Sequence, residues 1–347
     1  MNLHNSGATE WFTLLGDCAR TGGLGLQPAP EPKGIRWRLR LAKSVRSSPV
    51  LDGDLLYVTC LDGFLHAIDT RTARQAWKFD AGAPIHSTPS LSGDKILFGC
   101  DSGSVRALDG KSGRKVWEVA AGAAVWPSPV VEEGKAFFGS ADGNFYSVDL
   151  ETGKRDWTRP LGSRIYSTAC VNRGRIYFGC GDNRVYCLEP SSGKVLWSTA
   201  TGDVVDSSPA VAGDTVLVGS EDFAVYAFDA ASGSVRWKFE TGLGISSSPA
   251  VGGGTVFIGS KDHFLYALDI RTGKLRWKVN LRTSVTGSPV VGKGVVCIQA
   301  GGLAALDIST GKVLWRAFLG RSLQSSPVLT GSRVYLAGIQ GIVYALE

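Results

Sequence analysis

The chain has 347 residues, 44% of them hydrophobic and 20% charged, with a formal net charge of +6. That balance describes a chain able to bury a core, and it excludes a disordered one. The slight basic excess is spread along the chain rather than massed in one run, which argues against a nucleic-acid partner, and no stretch approaches the roughly 18 apolar residues of a membrane span.

In chain order, residues 1–33 come first as a lead-in and linker. The opening MNLHNSGATEWF has no basic segment followed by an apolar one. The expected location is therefore cytoplasmic, or periplasmic or extracellular if a leader has been removed. Trp11 and Phe12 are candidates to pack on the main domain, and Gln27-Pro28-Ala29-Pro30-Glu31-Pro32 reads as an extended linker. The 7 cysteines are odd in number and lack a zinc-type CxxC pair, which suits a reducing compartment.

From residue 34 onward the sequence repeats. Trp37, Trp77, Trp117, Trp157, Trp197, Trp237 and Trp277 fall at intervals of 40, and Trp315 follows after 38. A proline column runs Pro49, Pro89, Pro129, Pro209, Pro249, Pro289 and Pro327, with Ala169 in the fourth copy. An acidic column runs Asp69, Asp109, Asp149, Glu189, Asp229, Asp269, Asp307 and Glu347. Each copy reads as four short strands; in the sixth they are SSSPAVG, TVFIGS, FLYALD and LRWKVN. These runs are β-branched and aromatic, and the turns between them carry Gly, Asn, Asp and [S/T]-G. A four-stranded sheet of this kind cannot bury both faces alone. Stacking eight of them around an axis does so and leaves no long edge. The expected fold is thus all-β, an eight-bladed propeller over residues 34–347. The last copy lacks a fourth strand and the first Trp segment has no blade of its own, so 35–41 is expected to complete the blade of 323–347.

The motif D-x-x-[ST]-G-[KR]-x-x-W followed by S-S-P-V-V, seen at Asp149–Trp157, Asp269–Trp277 and Asp307–Trp315, resembles the tryptophan-docking motif of the PQQ-like propellers (PQQ is pyrroloquinoline quinone). Trp11, Gly16-Asp17 and Ala19-Arg20-Thr21-Gly22 are similar to the lead-in of bacterial members. The resemblance covers nearly the whole chain and specifies fold more than function. It implies kinship with quinoprotein alcohol dehydrogenases, with non-catalytic BamB-like scaffolds and with receptor-kinase sensor domains. The dehydrogenases place a disulfide between adjacent cysteines beside the quinone and carry insertions with calcium ligands. No two cysteines are adjacent here and the repeats are nearly uninterrupted, so no PQQ or other cofactor is expected, and the chain resembles the BamB-like members more closely.

Within copies that otherwise agree, one column disagrees. It lies three residues before the proline column and runs Arg46, His86, Trp126, Tyr166, Asp206, Ser246, Thr286 and Gln324; the residue before each is always aliphatic (Val45, Ile85, Val125, Ile165, Val205, Ile245, Val285, Leu323). These eight side chains are expected to ring the mouth of the axial channel. Aromatics beside a few convergent polar groups make a site for a small planar or anionic ligand, with Trp126 and Tyr166 stacking, Arg46 pairing with an acid group, and Asp206 or His86 fixing orientation. The same ring could instead plug the channel or dock a protein partner. The leading expectation is a monomeric, non-catalytic binding propeller. The alternative is an enzyme of specialised metabolism using His86, Tyr166 and Asp206 as acid and base groups. Cys60, Cys100 and Cys180 share a column with Ser140, Ser220 and Ser260, a small-residue position, so no metal site is expected. Lys261 and His263, on a turn of the same face, are candidates for the rim.

Overall fold

The computed structural model describes residues 31–319, 325–330 and 332–347. The described residues form eight four-stranded antiparallel sheets. The first blade comprises Val50–Asp52, Leu55–Thr59, Phe64–Asp69 and Arg74–Asp80, and the next six repeat that plan. Inner strands of neighbouring blades touch, as Ala250–Gly252 does Val290–Gly292, so the sheets stand around a common axis. The strand Ile35–Arg40 pairs antiparallel with Ile342–Leu346 and completes the eighth blade, with Arg38 opposite Tyr344. Lead-in residues 1–30, including Trp11 and Phe12, lie outside the described residues.

The core lies between blades rather than within them. In one such layer Leu97, Val105, Ala107 and Trp117 of the second blade face Phe138, Tyr146 and Val148 of the third. Another layer joins Leu51, Leu56 and Ile68 of the first blade to Tyr335, Leu336 and Val343 of the eighth. The circle is therefore closed by apolar packing as well as by hydrogen bonds.

Seven of the motif tryptophans, Trp37 to Trp277, fasten their blade to the next. The indole N–H of Trp77 donates to the Gly110 carbonyl (3.1 Å), that of Trp117 to Leu150 (2.8 Å) and that of Trp197 to Ala230 (3.1 Å). The ring lies on the glycine of the following [S/T]-G turn. A Cβ at Gly113, Gly153 or Gly233 would overlap the indole, and all three have φ near +70°, so glycine is required there for both reasons. Trp37 follows the same rule across the closure and donates to Thr70 of the first blade (3.0 Å). There Ala73 takes the left-handed position that glycine fills elsewhere.

The innermost strand is shorter than its sequence suggests. In the sixth blade only Ala250–Gly252 joins the ladder, not Ser246–Gly252. Pro249 has no N–H to give, and the Ser248 N–H donates to Ser288 Oγ in the next blade (3.0 Å) rather than within its own sheet. Cys180 and Cys187 stand opposite Arg184 and Tyr177, and both thiols are free.

Trp37→Ala is expected to cost about 3 kcal/mol, in the range for truncating a packed aromatic, read as a lower midpoint in urea; Trp37→Phe should recover most of it. A chain lacking residues 1–41 should aggregate at concentrations where the full chain stays monomeric by light scattering, because the Ile342–Leu346 strand becomes an open edge.

Candidate functional site

Position along the inner segment decides which side chains reach the mouth. Val45, Ile85, Val125, Ile165, Val205, Ile245 and Val285 are fully buried between blades. Their side chains pack so closely on the second strand that a Cβ on Gly99, Gly139, Gly179, Gly219 or Gly259 would overlap them. The next residue in each copy, Arg46, His86, Trp126, Tyr166, Asp206, Ser246 or Thr286, is not buried in this way. Arg46, Trp126 and Thr286 are exposed, and the other four are half-buried. Gln324 lies outside the described residues.

Three of these side chains form a ladder. The Trp126 and Tyr166 rings are stacked, with centroids 4.4 Å apart and planes at 23°. The His86 ring lies 4.9 Å from Trp126 at 34°. The Arg164 guanidinium sits 5.3 Å from the Tyr166 centroid and extends the stack by a cation–π contact. Asp101 holds the other end: Oδ1 accepts from the Trp126 indole N–H at 2.7 Å, and Oδ2 lies 3.7 Å from His86 Nε2.

Beyond Arg164 the next copies are charged. The Lys261 ammonium bonds both carboxylate oxygens of Glu221, at 2.7 and 2.8 Å. Asp206 lies among Arg164, Glu221, Lys261 and Asp203, and its Oδ1 is buried with no hydrogen-bond partner. Burial is the largest influence on this carboxyl and raises its pKa above the usual aspartate value; Glu221 and Asp203 add to the rise, while Arg164 and Lys261 oppose it. His86 is shifted down, first by burial and then by the positive charge of Arg46, against the pull of Asp101.

Asp101, Arg164 and Glu221 are the site residues that the ring column misses. Asp101 and Glu221 belong to a second variable column, Leu61, Asp101, Ala141, Gly181, Glu221 and Lys261. Its backbone N–H groups bond the carbonyls two residues before the ring, as Asp101 does Pro84 (3.0 Å) and Gly181 does Arg164 (2.9 Å). The columns trade bulk: a Cβ on Gly181 would crowd the Arg164 side chain, and one on Gly244 would collide with the Glu221 carboxylate. Two columns varying in step, large against small, were the available signal. His263 keeps its place on this face, at φ +79°.

The His86, Tyr166 and Asp206 groups are not hydrogen-bonded to one another. Trp126 separates the first two, and the carboxylate nearest His86 is Asp101.

Fold and mouth together define a tryptophan-docked eight-bladed propeller with one asymmetric end. A family model described as "Outer membrane protein assembly factor BamB" matches residues 29–199 and 162–347. The chain belongs to this family of PQQ-like propellers. Among solved structures it is similar to BamB from Moraxella catarrhalis, with 18% identity and TM-score 0.78 over 90% of this chain and 99% of that one. It is also similar to quinohemoprotein alcohol dehydrogenase from Comamonas testosteroni, with 16% identity and TM-score 0.83 over 99% and 81%. A europium-containing methanol dehydrogenase matches at 13% identity and TM-score 0.82 over 97% and 98%. At these identities the likeness is one of fold. No curated protein sequence matches the chain significantly.

Two titrations follow. Replacing Arg46 by Ala should raise the His86 pKa and replacing Asp101 by Asn should lower it further, read from the His86 ring protons by NMR and assigned with His86→Gln. Asp206 has its carboxyl shifted up on folding, so its stabilising contribution is present below pH 3.8 and lost as pH rises through the folded pKa. Asp206→Asn should therefore raise Tm relative to the parent protein at pH 7, with the gain fading as the pH approaches 4.

Proposed function

We propose that this protein is a non-catalytic binding propeller whose mouth takes a small ligand with a planar ring and an anionic group. The observation carrying the reading is the buried, unpartnered Asp206 Oδ1 in the copy next to the Tyr166 end of a pre-stacked aromatic ladder. A carboxylate kept desolvated without a donor is unfavourable by itself. A ligand N–H or O–H reaching Asp206 relieves that penalty, while Arg46, exposed at the rim, meets the anionic group.

The ladder sets how the ring docks. At 4.4 and 4.9 Å, the neighbours of Trp126 leave no room for a third ring between them, since an inserted plane needs about 3.5 Å on each side. The ligand ring therefore lies across the exposed edge of Trp126, which is 37% accessible.

The same packing disfavours a quinone. The residues present do not fit the quinoprotein arrangement: no disulfide joins the described cysteines, no two of them are adjacent in sequence, and the Trp126 faces are covered by His86 and Tyr166. Acid–base catalysis by His86, Tyr166 and Asp206 is likewise disfavoured by the absence of a hydrogen bond linking them. A second reading, docking of a protein partner on this face, is favoured by two exposed apolar tips, Phe223 (48%) and Leu243 (46%), which the Thr241 hydroxyl bridges by donating to both their carbonyls (2.8 Å each). The name of the family model, an assembly factor, points the same way. Among the described residues no helix is long and apolar enough to cross a membrane.

The test is a thermal-shift titration with a panel of aromatic carboxylates. The reading predicts saturable stabilisation by at least one member, weakened tenfold or more by Arg46→Ala and by Asp206→Asn. Stabilisation by none, or by the same members equally in both variants, would contradict it.

A further inference from the structure

Away from the ladder, the first blade departs from its sisters at two positions at once. In the third to sixth blades a tyrosine hydroxyl closes on the aspartate of the turn before it. Tyr146 donates to Asp142, Tyr186 to Asp182 and Tyr226 to Asp222 at 2.5 Å, and Tyr266 to Asp262 at 2.6 Å. The first blade keeps the aspartate, Asp62, but has His66 in place of the tyrosine. In the same blade Cys60 fills the column held by Ser140, Ser220 and Ser260. The Cys60 Sγ, an Asp62 carboxylate oxygen and a His66 ring nitrogen all lie within 4.8 Å of one another. Cys60 is fully buried, and the His66 and Asp62 side chains are only 6% and 7% accessible.

Neighbouring side chains already orient the donor atoms of this cluster. His66 Nδ1 faces Gln75 Oε1 at 3.0 Å. An amide oxygen only accepts, so Nδ1–H donates to it and the ring turns Nε2 towards Asp62. Nε2 lies 3.1 Å from Asp62 Oδ2. Where the third to sixth blades set a tyrosine hydroxyl against the aspartate, this blade sets a ring nitrogen able to bind a metal. Gln75 meanwhile does for His66 what an outer-shell partner does for a metal-bound histidine, fixing ring orientation and exposing Nε2.

We infer that Cys60, Asp62 and His66 form a transition-metal site, and that its ion is Zn²⁺. Thiolate, imidazole and carboxylate together suit a borderline ion, and three protein ligands leave a fourth tetrahedral position for water. Bond lengths of about 2.0–2.3 Å put tetrahedral ligand atoms roughly 3.3–3.8 Å apart, so closing on the ion needs movements of about 1 Å. As the Zn–S bond forms, the Cys60 thiol gives its proton to solvent and its contacts to the Lys43 and Ser44 carbonyls (3.3 and 3.5 Å) are released. The second blade carries Cys100 too, but there Arg106 contacts the sulfur at 3.1 Å and occupies the place of the second ligand. In the fourth blade, Cys180 sits beside a tyrosine–aspartate bond already made.

The repeat supplies variants built to fold. Cys60→Ser and His66→Tyr each install the residue that other blades carry at the same position. Protein stripped with chelator is titrated with Zn²⁺ against a chromophoric competitor and with Co²⁺ by absorption. One equivalent of Zn²⁺ is expected, with tetrahedral d–d bands and a sulfur-to-cobalt charge-transfer band for Co²⁺. Both variants should bind at least tenfold more weakly, and Cys60→Ser should lose the charge-transfer band while Cys100→Ser keeps it. Less than one equivalent in the parent protein, Co²⁺ spectra without a thiolate band, or unchanged affinity in a variant of parental Tm would each overturn the assignment.

Discussion

The structure depends on a belt of hydrogen bonds between neighbouring innermost segments. The N–H of Ser48 donates to Thr88 Oγ1, Ser128 to Thr168, Thr168 to Ser208, Ser208 to Ser248 and Ser248 to Ser288, at 2.9–3.0 Å. The N–H of Ser326 then donates to Ser48 Oγ at 2.9 Å and carries the belt across the chain ends. Near the axis there is room for little more than a hydroxyl, and these N–H groups lie before the inner strand begins, next to a proline in every copy but the fourth, where Ala169 follows Thr168. Short hydroxyl side chains answer both constraints together. These bonds join six of the eight neighbouring pairs of copies at equivalent positions. Two residues upstream, equivalent positions must then converge, and that convergence brings His86, Trp126 and Tyr166 into ring contact although 40 residues separate each from the next.

The sequence makes plain whatever the repeat enforces and hides whatever depends on pairs. The eight-bladed count, the docking tryptophans and the closing strand were legible because each rests on a column of one residue type that recurs along the chain. The internal stacking of the ladder was not, since a column says that side chains converge and not whether they face a ligand or one another. Asp101 escaped notice for a related reason: its column looks like ordinary turn variation until its bond to Trp126 is seen. Cys60 reads as a small-residue position by comparison with Ser140 and Ser220, and only the fold sets it beside His66. The inner strand came out shorter than its pattern because Pro249 and the belt divert its hydrogen bonds.

Stability is given up unevenly around this ring. In the [S/T]-G turns the left-handed position is filled by glycine or, in the first blade, Ala73, while the first turns of the third and fourth blades at the same end hold Glu133 and Arg173 at φ of +47° and +49°. At the mouth, Asn183, Phe223 and His263 adopt φ of +66°, +70° and +79° where the first three blades have Gly63, Gly103 and Gly143. A left-handed phenylalanine is costly, and such strain gathers where a surface serves something other than folding. The orphaned Asp206 oxygen lies on the same face. A left-handed phenylalanine and a desolvated carboxylate oxygen thus share one end of the scaffold.

Closure of the ring through the belt and the first strand is tested most directly by native-state hydrogen exchange, followed amide by amide. A closed circle unfolds as one unit, so the amides of Ser48, Ser326, Arg38 and Tyr344 should be protected to the same free energy as those of the fourth and fifth blades. An open array frays from its ends. Protection of the first and eighth blades falling well below that of the middle ones would contradict the account.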